Sequence, residues 1–196
     1  MGYKSVGDIY IAIHNKTLIA QGELPAVIRE TVKQFPDAEP YLFKLDDGKR
    51  TDIDWRGDAE EVISRLPASL MPQAKKRGRP KLGVKSKEVT LLPEHWEWLS
   101  LQRGGASTTL RKLIDAVMAQ MTPEQERRIK QDQLYNMMRV FEDEAGFEAS
   151  SRALYRLDET AFTQAIANWP QALQAIYKDK FISLTSTGKD TNDGTN

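Results

Sequence analysis

Between Pro67 and Val84 the chain carries three prolines and two glycines and shows no hydrophobic period, so no strand or helix is expected to cross it. Proline fixes φ and removes a backbone donor, and glycine loses more conformational freedom on ordering than any other residue. The stretch reads as a flexible linker. It divides the chain into parts that must each find cover for their apolar faces. It also holds the densest positive charge. Residues 73–112 carry ten Lys or Arg against three Asp or Glu, a net +7, between flanks of −3 (1–72) and −4 (113–196). The formal total of zero hides this belt. Charge a few Debye lengths away is screened, so a polyanion would meet the belt and not the average.

At 196 residues the chain has room for one or two domains with a real core. Its composition is that of ordinary soluble globular proteins. The absence of cysteine excludes disulfides, thiolate nucleophiles and Cys-containing zinc sites, and it fits a reducing compartment. No apolar run reaches the length of a membrane span. The opening MGYKSVGDIYIAIH lacks a small-residue cleavage site and does not read as a signal peptide. A cytoplasmic protein with no membrane partner is the expectation. No solenoid or propeller repeat is visible.

The fold class expected is α+β. Ile9 to Ile13 and Thr17 to Ala20, separated by His14-Asn15-Lys16, predict a hairpin. Apolar positions 24, 27, 28, 32 and 35 predict a helix that Pro36 ends, with Pro25 in its first turn. Tyr41 to Leu45 and Arg50 to Trp55 flank Asp46-Asp47-Gly48-Lys49 and predict a second hairpin. Asp58 is placed to cap a short helix, Ala59 to Leu66. Residues 1–70 thus read as a small domain of two hairpins and two helices, and 71–85 as the basic linker. Residues 86–121 read as a short strand (Val89 to Leu92) followed by two helices. Pro93 opens the first, which has a Leu92, Trp96, Leu99 stripe. Gly104-Gly105 stops it, and Ser107 or Thr108 caps the second. That second helix carries Leu110, Leu113, Ile114, Val117, Met118 and Met121 on one face. Residues 122–182 read as helical. A helix starts at the Thr122-Pro123-Glu124-Gln125 capping signal and runs to about Glu144, and shorter ones follow near 148–157, 159–168 and 170–182. Residues 183–196 are polar at their end and are expected to be a disordered tail.

Arg77-Gly78-Arg79-Pro80, flanked by Lys75, Lys76 and Lys81, resembles the AT-hook. The resemblance implies an extended segment in the minor groove of A·T-rich duplex DNA. The chemistry suits these residue types. Glycine lets the backbone approach the groove floor, and proline keeps the chain extended. The arginines enter where a narrow groove concentrates negative potential, and the lysines meet phosphates.

The order strand, proline-led helix, glycine turn and second helix resembles a ribbon-helix-helix unit, in which two chains pair their strands. It implies a homodimer whose ribbon, Lys87 to Leu92, enters the major groove, and whose Ser107, Thr108 and Thr109 meet a phosphate. Val89-Thr90-Leu91-Leu92 is apolar at three of four places. With Val89 and Leu91 facing a core, only Thr90 and Glu88 face the groove. Either the ribbon is shifted, or the unit mainly dimerises and leaves DNA to the arginine segment with Lys85 and Lys87. A helix-turn-helix reading uses the same two helices. The stretch from Lys76 to Val117, with GFEASSRALYRLDETAFTQAIANWP later on, is similar to an uncharacterised bacterial family carrying a domain-of-unknown-function label, 2239. The similarity covers most of residues 5–180. It implies the architecture above and brings no activity with it.

Asp46, Asp47, Asp52, Asp54 and Asp58 form an acidic cluster, but Lys44, Lys49, Arg50 and Arg56 interleave and no calcium-loop spacing is present. Turn and solvated-face roles fit better than a metal. The two histidines, His14 and His95, pair with no nucleophile in any recognisable pattern, and no phosphate-loop, GxSxG or HExxH motif occurs. The expectation is no enzyme, no cofactor and no metal. The function expected is a dimeric DNA-binding protein, a transcriptional regulator or chromosome-associated factor. The alternative is a protein–protein adaptor, such as an antitoxin-like or phage-defence component, using the acidic flanks on a basic partner. RNA is a third partner class, and the lack of aromatic residues among the basic ones counts against it.

Overall fold

The computed structural model describes residues 8–71 and 88–186. The fold is α+β: three strands near the N-terminus, then helices. In chain order the elements are β1 (Ile9–His14), β2 (Thr17–Glu23), α1 (Leu24–Gln34), β3 (Tyr41–Lys44), α2 (Ala59–Ser64), α3 (Pro93–Ser100), α4 (Gly105–Ala119), α5 (Pro123–Met138), α6 (Phe147–Arg156), α7 (Glu159–Ala165) and α8 (Gln171–Ser186). A 3-10 turn, Arg139–Phe141, continues α5. Residues 1–72 and 123–196 make one compact unit and 73–122 another.

In the first unit the sheet is antiparallel, with β1 between β2 and β3. The β1–β2 turn has two central residues, Asn15 and Lys16, at φ 46° and 59°. That handedness matches the twist of a two-residue hairpin. Lysine has no preference for it, but Lys16 Nζ lies 2.7 Å from Asp143 and also meets Glu144.

Because β1 is central, its side chains are buried on both faces, and the period of two sends them to different cores. Ile11 and Ile13, with Phe43 of β3, join Leu134, Met137, Phe141, Leu154, Phe162, Trp169, Tyr177 and Phe181. Tyr10 and Ala12, with Leu42, join Leu24, Val27 and Ile28 of α1, Trp55, and Val62 of α2. The helical side of the sheet is rich in rings. Phe141 and Trp169 stack at 4.2 Å, Tyr177 meets both edge-on, and Phe162 stacks on Phe181 at 4.6 Å. Their polar atoms are satisfied there. Tyr177 Oη donates to the Met137 carbonyl at 3.1 Å, and Trp169 Nε1 to that of Ala145 at 3.2 Å. Residues 1–70 and 122–182, separate segments in the sequence reading, therefore share a core.

Several expectations change in detail. The second hairpin reduces to β3 and one isolated bridge, Phe43 to Arg50, with Thr51 N donating to Leu42 O. Beyond it the chain leaves the sheet. Trp55 is drawn into the core under α1, and Asp54 turns the backbone by accepting from Arg56 N and pairing with the side chains of Arg56 and Arg65. The long helix ends at Met138 and not near Glu144. Asp58 caps α2 through a capping box with Glu61. Of the tail expected from residue 183, the first part is corrected, because α8 runs to Ser186 and buries Leu184, and 187–196 lie outside the described residues.

The shared core makes a prediction. Ile11→Ala should cost ~2–5 kcal/mol of unfolding free energy and speed hydrogen exchange at α8 amides as well as in the strands. Exchange unchanged at α8 would put the helices in a separate cooperative unit. A second prediction concerns acid. Hydrogen bonds from Arg56, first from its side chain and then from its backbone N–H, hold the Asp54 carboxyl well below the usual carboxylate range. A depressed folded pKa adds stability that is full above the unfolded value, near pH ~4, and is lost as pH falls through the folded one. Urea melts should therefore show a gap between wild type and Asp54→Asn at neutral pH that closes as the solution is acidified.

Candidate functional site

The second unit is built around a glycine turn. Pro93 starts α3, after Leu92 in an extended conformation (φ −64°, ψ 153°). Gly104 and Gly105 lie at φ 98° and 76°, which a side chain would strain, and they swing the chain into α4. Gly104 is the cap, so the expectation that Ser107 or Thr108 caps this helix is corrected. Those residues sit inside the first turns instead. Thr109 Oγ1 donates to the Gly105 carbonyl at 3.1 Å, and Arg111 Nε to that of Ser107 at 3.1 Å.

The predicted apolar stripes are present but mostly uncovered. Leu99 is 2 % exposed, and no side chain of α4 is buried. Ile114 is 54 % and Val117 65 % exposed, and Leu113 and Met118 stand open beside them. Leu92 and Trp96 of the expected stripe are exposed too. Trp98 and Leu101 enlarge the open surface although the i, i+4, i+7 stripe on α3 omits them; their size and hydrophobicity were the only signal. A helical pair that buries so little falls short of what a small domain needs to stand alone.

Of the predicted DNA contacts, Thr90 and Ser107 are exposed and line one hollow of about 490 Å³ with Glu88, Trp96 and Leu110. Thr108 and Thr109 are half-buried on α4. Residues 88–92 join no ladder among the described residues. Lys75, Lys76, Arg77, Gly78, Arg79, Pro80, Lys81, Lys85 and Lys87 lie outside the described residues. Of the acidic residues after β3, Asp52 pairs with Arg50 at 2.9 Å and Asp54 with Arg56 and Arg65, while Asp47 accepts from the Lys49 backbone N–H at 3.0 Å and Asp58 caps α2. Among the described residues no group of three or more His, Asp or Glu could hold a metal ion, and no helix is long and apolar enough to cross a membrane.

No curated protein and no solved structure matches the chain. A family match extends over residues 9–179, from the first strand through most of α8 and across both compact units. With that span, the chain belongs to the family described as an uncharacterized protein conserved in bacteria (DUF2239).

Proposed function

We propose that the protein is a homodimeric DNA-binding protein that contacts A·T-rich minor groove through Arg77 and Arg79. Lys75, Lys76, Lys81, Lys85 and Lys87 neutralise phosphates around them. The single observation that carries the reading is adjacency. A segment of net +7 contains the Arg-Gly-Arg-Pro core and runs directly into a helical unit whose apolar face stands open. A second copy suits that face better than a foreign protein. Strand-length residues 88–92 join no ladder of their own, and two-fold pairing would satisfy both their backbone and the exposed side chains of α3 and α4. Pairing would also double the charge offered to one duplex. Ser107, Thr108 and Thr109 would then sit at the phosphate-facing start of α4. Regulation of transcription or chromosome organisation is the role such a dimer would serve.

Gel shifts test the DNA half. Arg77→Ala with Arg79→Ala should weaken binding to an A·T-rich duplex about tenfold or more beyond the loss on a G·C-rich one. Equal loss on both would reduce the segment to plain electrostatics, and affinity that ignores salt would remove phosphate contacts altogether. Solution mass tests the other half. The wild-type chain should run as a dimer and Val117→Glu as a single chain with unchanged far-UV signal. A single-chain wild type that ignores DNA at low salt would leave the adaptor reading, with the apolar face docking a different protein.

A further inference from the structure

A cleft of about 470 Å³ opens in the first unit between the turn after β3 and the end of α5. Small ligands occupy clefts of this size. Buried Phe43 forms its floor, with Val140 half-buried beside it. Gly48, at φ 61°, holds one wall close. A Cβ there would meet the Gln133 carbonyl oxygen at 2.5 Å, so the turn backbone lies against α5. At the rim, the exposed ring of Tyr41 carries the Arg50 guanidinium 4.6 Å above its centroid. Arg139, exposed on the 3-10 turn, lines the same space.

We propose that this cleft binds a nucleoside monophosphate. Guanidinium groups take phosphate oxygens through planar paired donors, which Arg50 and Arg139 supply. Once Arg50 turns from the Tyr41 ring to the phosphate, that exposed ring gives a base a face to stack on, and the Asn136 amide can both donate to and accept from a base edge. Charge limits the ligand to one phosphate. Lys49, Arg50 and Arg139 are offset by Asp47 and Glu142 in the lining and by Asp52, paired with Arg50, which leaves no surplus positive charge for a longer anion. A longer polyphosphate chain would meet those carboxylates. Arg50 is paired with Asp52 and Arg139 with Glu142 at 3.5 Å, but both pairs are exposed, and such pairs yield readily to a better-placed anion. The site is independent of the DNA reading, because every residue of the cleft belongs to the first unit.

Calorimetry on the full-length chain tests this, with each ribonucleoside 5′-monophosphate, inorganic phosphate, adenosine and a short single-stranded oligonucleotide as titrants. At least one monophosphate should saturate one site and bind about tenfold tighter than phosphate or adenosine alone. Arg139→Ala and Tyr41→Ala should each weaken it about tenfold while far-UV circular dichroism stays the same. If Tyr41→Ala unfolds, Arg50→Ala takes its place. No saturation by any monophosphate, or phosphate binding as tightly as the nucleotides, overturns the proposal. So does affinity unchanged in both variants. Tighter binding of the oligonucleotide at the same residues would assign the cleft to a strand instead.

Discussion

Tyr10 to Ile13 are buried on both faces of a three-stranded sheet, and the rest of the first unit depends on that burial. Edge strands can tolerate one wet face; a central strand with apolar side chains at successive positions needs cover on each. Here α1 and α2 cover one face with aliphatic side chains and Trp55, and the C-terminal helices cover the other with stacked rings. Neither layer is optional: a strand stripped of one would expose Ile11 and Ile13, or Tyr10 and Ala12, to water. The ion pairs of Lys16 with Asp143 and Glu144 add little energy on the surface, but they tie the tip of the β1–β2 hairpin to the chain after α5.

The second unit follows the opposite logic. Its apolar residues are as regularly spaced as those of α5, yet most of them remain open to solvent. Helix propensity, a proline start and two glycines specify the helices locally, so α3 and α4 form without a large core. The proposed dimer would cover them while placing two copies of the basic belt side by side.

Strong local signals made much of this legible. Strand β1, α1 after Glu23, the Asp58 cap and the Pro123 start all appear within a residue or two of where periodicity and capping chemistry put them, while β2 runs three residues past Ala20. Legibility failed where the deciding partner is distant. Arg50 to Trp55 alternates like a strand, but Trp55 is claimed by a core that α1 builds. The stripe on α4 reads identically whether it faces its own chain or another. Leu184 lies in a stretch whose polar neighbours read as a tail, and only its burial in the ring cluster shows why α8 extends to it. Tyr41, Arg50 and Arg139 share a cleft through the packing of a turn against α5, and no spacing in the sequence links them.

The interruption of the first unit by residues 73–122 also bears on how the chain is made. Strands β1 to β3 are synthesised before the helices that cover Ile11, Ile13 and Phe43. At translation rates of about 5–20 residues per second, the wait from β3 to the end of α8 is on the order of ten seconds. Through that interval a nascent sheet presents a sticky underside to the crowded exit of the ribosome, and the whole of α3 and α4 emerges before relief arrives. Holdase chaperones that bind aliphatic strands would find their target on this polypeptide early, and would have to release it only after the last turn of α8 has left the tunnel.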